Sequence, residues 1–145
     1  MKTIIYMVRH GESPKEGDER TRALTEKGER DAEQIVAFLK DEGIDMVISS
    51  PYHRSVLTVR PLAERMGKEV LVFEDLKERV FSASQNRISD NALMPLLHAS
   101  FSNCDYALEG GESNADCEKR AIKVFGTLLN TYKGQKVVLG THGLV

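Results

Sequence analysis

The 145 residues amount to one domain of ordinary size. With 41% apolar and 29% charged side chains, the chain has enough apolar material for one packed core, which excludes a disordered polymer. A net charge of -2 excludes the broadly basic surface of a general nucleic-acid or membrane-surface binder, while leaving room for a small basic pocket.

No stretch is apolar for long enough to span a bilayer. The apolar run at the N-terminus is short and meets Arg9-His10 without a small-residue cleavage site, so no signal peptide is expected. Cys104 and Cys117 have no CxxC spacing and are too few for a disulfide framework; both read as small buried hydrophobes. The expected location is the cytoplasm, in soluble form.

Residues 3–8 are β-branched and aromatic and predict a buried strand. Residues 9–23 are polar, with Gly11, Pro14 and Gly17, and predict a loop. Thr25 is a candidate N-cap for a helix whose apolar positions are Ala32, Ile35, Val36 and Leu39, stopped by Gly43. Met46, Val47 and Ile48 form a second strand. Ser50 is expected to cap the next helix, with Pro51 at its first position and Val56, Leu57 and Leu62 on its apolar face. Pro61 is expected to kink or end it. A third strand covers 70–73. Residues 82–111 predict a covering loop with a short helix at 92–97. A long helix over 112–132 turns Ala121, Phe125, Leu128 and Leu129 inward, and a fourth strand covers 136–140. Alternating strands and helices predict an α/β fold, a three-layer α/β/α sandwich with a mostly parallel sheet, over residues 1–145 as a single domain.

In such folds the reactive crevice lies beyond the carboxyl ends of the strands. His10 follows strand one, Arg54 lies in the first turn after strand two, Glu78 follows strand three, and His142 ends strand four. Arg54 near a helix N-terminus, with Arg9 beside His10, suits a phosphate, because a guanidinium pairs with two oxygens at once. Competing readings are a solvated helix arginine for Arg54 and a surface carboxylate for Glu78, which shares its segment with Glu74 and Asp75. His53 and His98 read as surface or packing histidines.

The motifs themselves are more specific. Arg9-His10-Gly11-Glu12, Leu24-Thr25-Glu26-Lys27-Gly28, Ser49-Ser50-Pro51-Tyr52-His53-Arg54, Leu76-Lys77-Glu78-Arg79, Gly110-Gly111-Glu112-Ser113 and Thr141-His142-Gly143 occur in that order. Together they resemble the histidine phosphatase superfamily, of which the phosphoglycerate mutases are members. The resemblance implies a phosphoglycerate mutase-like fold and a phosphohistidine on His10, with Glu78 as proton donor and His142 as a further catalytic residue. It also implies that Arg9 and Arg54 hold the phosphoryl oxygens. Glu12 orients the loop. Arg20 and Arg22 flank the entrance, where they either contact substrate or remain solvated. No cofactor and no metal are implied, and the partner is a small phosphorylated substrate.

Two departures matter. The mutases usually follow RHGE with a tryptophan-asparagine pair, whereas this chain reads Ser13-Pro14 and contains no Trp. A phosphatase is therefore expected ahead of a phosphoglycerate mutase, with a non-catalytic domain that binds phosphorylated ligands as the non-enzyme alternative. The chain also ends at Val145, where family domains usually continue through another helix and strand. Truncation of that kind is expected to expose apolar sheet and to lead to a homodimer or to marginal stability.

Overall fold

The structure is a computed structural model and describes residues 1–143. Four parallel strands, β1 (Ile4–Arg9), β2 (Met46–Ser49), β3 (Val70–Val72) and β4 (Lys136–Thr141), lie in the order β1-β4-β2-β3. The last strand in sequence thus inserts between the first two. β4 is hydrogen-bonded on both sides and carries Val137, Val138 and Leu139 fully buried. Such an unbroken apolar run is what a strand covered on both faces requires.

Period-two alternation sorts the sheet residues into two cores. Val8, Val47 and Val138 point to one face, where they pack with Val59, Leu62 and Ala63. Ile48, Val137 and Leu139 point to the other, where they meet Leu76, Val124 and Leu128. The first face is covered by α1 (Glu26–Leu39) and α2 (His53–Arg65), the second by α4 (Asn114–Thr131). The expected sandwich is therefore present.

Thr25 caps α1 as expected, its Oγ1 accepting from Gly28 N at 3.1 Å. Other local expectations need correction. Ser50 does not cap α2, which starts two residues later than Pro51 with Tyr52 at the N-cap. Pro61 neither ends α2 nor stops its packing: Val59, Leu62 and Ala63 on either side of it are buried, and that burial outweighs the lost backbone hydrogen bond. The short helix expected at 92–97 is α3 (Asp90–Ser102), started by Ser89, whose side chain accepts from Ala92 N. A capping box of Ser113 and Asp116 starts α4, two residues later than the sequence pattern indicated. Leu129, expected inside, is 47% exposed, because Ala121, Val124 and Leu128 complete the inward stripe. Cys117 is buried as expected, but Cys104 is exposed.

Candidate active site

Strand pairing brings the two motif histidines together. The β1–β4 ladder sets Arg9 opposite Thr141, and His10 N then donates to Thr141 O at 3.1 Å. One residue further along, the His10 and His142 rings lie with centroids 5.3 Å apart. At the end of β2, Ser50 N donates to Gly140 O at 2.9 Å, and Ser50 Oγ reaches His142 Nε2 at 2.7 Å. Ser50 is thus a partner of His142 rather than a helix cap. Glu78 follows the 3-10 turn Glu74–Leu76 beyond β3, and its Oε2 lies 3.9 Å from His142 Nδ1.

The His10 loop is fixed by close backbone approach. A Cβ on Gly28 would stand 2.1 Å from Glu12 O, and one on Gly11 would stand 2.7 Å from Gly28 O. Only glycine lets the RHGE loop lie directly on the first turn of α1. Gly11 N also donates to Thr58 Oγ1 at 2.9 Å, and Thr58 Oγ1 donates to Arg54 O at 2.7 Å, tying the same loop to α2.

His10 Nδ1 lies 2.7 Å from Gly11 O. A carbonyl only accepts, so this nitrogen carries the proton and Nε2 holds the lone pair. Burial lowers the His10 pKa to about 4, and the positive charges of Arg54, Arg9 and Arg22 push it the same way, against the raising effect of the Gly11 hydrogen bond. Burial likewise lowers His142 to about 2, assisted by Arg54, His10, Arg22 and Arg120. Both imidazoles are therefore neutral near pH 7, and the 3.9 Å contact between His142 and Glu78 is not an ion pair.

Arg54 is 1% exposed, so the solvated reading does not hold. Its Nη1 donates to Glu19 O at 2.5 Å and its Nη2 to Glu19 Oε2 at 2.9 Å, while its guanidinium lies 5.0 Å from the Tyr52 ring centre. Burial holds the Arg54 pKa below its ordinary value, and the like charge of Arg22 adds to this. Arg22 Nη2 donates to the other Glu19 oxygen at 3.3 Å. Arg54 Nε, Arg22 Nε and His142 Nδ1 are buried with no hydrogen-bond partner among the described residues.

The site opens on a cavity of about 460 Å³, whose wall does not include the buried His142. Arg9, His10, Arg22, Arg54 and Glu78 all line it. Six cationic side chains against four acidic ones give the wall an excess of two positive charges, so the cavity attracts anions although the whole chain is net -2. Phe81, Ile88 and Leu93 supply an apolar side, from the covering segment before and at the start of α3. Arg20 is not part of this cavity. It pairs with Glu74 and lies over Tyr52. Among the described residues no group of three or more His, Cys, Asp or Glu side chains could hold a metal ion.

Several contributors escaped the sequence reading. Glu19 sits at the site with no pattern to mark it, and Tyr52 lies within the motif of residues 49–54, where the sequence reading assigns it no role. Arg120 is the fixing point of the Glu78 segment: it donates to the carbonyls of Asp75, Lys77 and Glu78 at 2.7, 2.9 and 3.2 Å. Glu112 pairs with Arg120 and also accepts from Val80 N at 2.9 Å. The eight-residue spacing of Glu112 and Arg120 across the start of α4 is the one signal that could have revealed the pair.

Known proteins share this frame. A probable phosphoglycerate mutase of Escherichia fergusonii is 27% identical over 97% of this chain and 69% of its own length. Phosphoglycerate mutase-like protein 4 of Arabidopsis thaliana is 28% identical over 96% of this chain and 66% of its own. This chain thus spans about two thirds of the length of those relatives. Among solved structures, a mycobacterial glucosyl-3-phosphoglycerate phosphatase in complex with inorganic phosphate superposes with a TM-score of 0.78 at 25% identity, over 94% of this chain and 72% of that one. YhfR of Bacillus stearothermophilus shares the fold, with a TM-score of 0.83 at 22% identity over 99% of this chain and 75% of that one. The model of the histidine phosphatase superfamily (branch 1) matches residues 5–145, and the chain belongs to that superfamily.

Proposed function

We propose that this chain is a phosphomonoester phosphatase that works through a phosphohistidine on His10, without cofactor or metal. The observation that carries the reading is the state of His10: neutral, with Nδ1–H committed to Gly11 O and Nε2 left as the nucleophile, at the edge of a cation-rich cavity. Superfamily membership and a structural neighbour named as a phosphatase support it.

In the first step Nε2 bonds to phosphorus as the ester P–O bond breaks, and Glu78 gives a proton to the leaving oxygen. In the second, water attacks phosphorus as the N–P bond breaks. Glu78 takes the water proton, and inorganic phosphate leaves. Arg9, Arg22 and Arg54 hold the phosphoryl oxygens as charge shifts between them. Ser50 Oγ occupies His142 Nε2, which leaves Nδ1 as the ring nitrogen to bond a phosphoryl oxygen in this reading.

Phosphate release from an aryl phosphate, measured with chelator present for wild type and His10→Ala, tests the reading. Activity in the wild type and its loss in His10→Ala are expected. Equal activity in both removes His10 from the chemistry. A phosphoglycerate mutase is the second reading, favoured by the names of the curated relatives, and isomerisation of phosphoglycerates without phosphate release would establish it.

A further inference from the structure

The Glu19 carboxylate occupies the guanidinium groups that a substrate phosphate needs. One oxygen accepts from Arg54 Nη2 at 2.9 Å and the other from Arg22 Nη2 at 3.3 Å. Two oxygens on one centre, bridging two guanidinium groups, reproduce part of what a phosphate offers. The match is incomplete. A phosphate carries more oxygens than a carboxylate, and the Nε atoms of both arginines have no partner among the described residues.

The partners differ in freedom. The Arg54 side chain is 1% exposed and Glu19 is 25% exposed, so the acid is the one able to move. The backbone bond from Arg54 Nη1 to Glu19 O does not depend on the carboxylate and can persist after it leaves. On its other side Glu19 borders a second cavity of about 220 Å³, whose wall includes Arg20 and Lys77. Both already pair with Glu74, so a displaced carboxylate would join that ion cluster at its solvent-facing side. In the free protein the same carboxylate keeps two neighbouring guanidinium groups from facing each other uncompensated.

We propose that Glu19 is a built-in competitor of the substrate phosphate: it neutralises Arg54 and Arg22 in the free protein, and the phosphoryl group displaces it on binding, so that its charge sets phosphate affinity. This rests on the reading of the cavity as a phosphoryl site. Removing the competing carboxylate strengthens anion binding, whereas a purely structural Glu19 would only weaken it.

Inorganic phosphate is the probe, with binding followed by calorimetry and melting followed with and without phosphate. Glu19→Gln is expected to bind phosphate at least about tenfold more tightly than wild type, because a charge-assisted competitor is gone. It is also expected to melt lower without phosphate and to gain more from its addition. Glu19→Asp keeps the charge but shortens its reach and should fall between the two. Should Glu19→Gln fail to fold without phosphate, Glu19→Asp decides in the same way. Equal or weaker phosphate binding by a folded variant, with wild type binding normally, overturns the displacement alone. No phosphate binding by either wild type or variant overturns the phosphoryl site and the displacement together.

Discussion

Arg120 and Glu112 meet through two charge-assisted hydrogen bonds of 2.6 and 2.9 Å, beneath the segment that carries Glu78. Arg120 holds three carbonyl groups of that segment, those of Asp75, Lys77 and Glu78, and Glu112 holds the amide of Val80. Neither side chain lines the cavity, yet together they brace the segment that carries Glu78. Arg120→Ala leaves Glu112 without its cation and three carbonyls without their donor. We expect a loss of about 2 kcal/mol in stability, below the cost of breaking a fully buried pair from one side because both side chains keep some solvent. Denaturant unfolding measures this, and a loss below about 1 kcal/mol would show that the clamp is dispensable.

Gly28→Ala places a methyl 2.1 Å from Glu12 O, a backbone atom that cannot swing aside. Either α1 or the His10 loop must shift. The expected cost is about 1–3 kcal/mol, as for an overpacked core. Aryl phosphate turnover should fall with it, because His10 moves with the loop. Thermal melting and turnover of the same variant check both.

The two depressed histidines make stability depend on pH with a definite sign. His10 falls from 6.5 to about 4 on folding and His142 from 6.5 to about 2, so between those limits the unfolded chain binds more protons. Their contribution is fully present above about pH 7 and is lost as pH falls below 6.5. Stability should therefore decline with acidification from near neutrality. His10→Gln should flatten the slope between pH 6.5 and 4. Unfolding free energies at a series of pH values test this, and histidine ring NMR should show His10 titrating near pH 4.

Glu78→Gln removes the proton donor while leaving a side chain of similar shape. For an alkyl phosphate, whose leaving oxygen needs the proton, the rate should drop by about 10²–10⁴. For an aryl phosphate with an acidic leaving group the drop in the first step should be much smaller. Equal losses on both substrates would remove Glu78 from leaving-group protonation.

Much of this arrangement was legible in the sequence, for physical reasons. The buried strands read clearly because β4 and β2 are apolar on both faces, and strand ends in a parallel sheet converge on one crevice. His10 and His142 therefore came together from motif position alone, and Arg54 and Arg22 line the cavity with His10, while His142 lies buried behind it. Glu19 was illegible because its partners lie 35 residues and 3 residues away and only the folded loop brings them to one carboxylate. Ser50 was misread because a serine before proline looks like a cap, and only β4 shows that its hydroxyl faces His142. Pro61 misled because helix propensity is weak beside the burial of Val59 and Leu62.

The most direct test of the phosphohistidine chemistry is rapid quenching of the wild-type protein during turnover of an aryl phosphate, followed by mapping of bound phosphoryl group. The predicted result is a phosphoryl group on His10 that survives base and is lost in acid, and that is absent from His10→Ala. Turnover at an undiminished rate in His10→Ala, or a phosphoryl group mapped to any other residue, would contradict it.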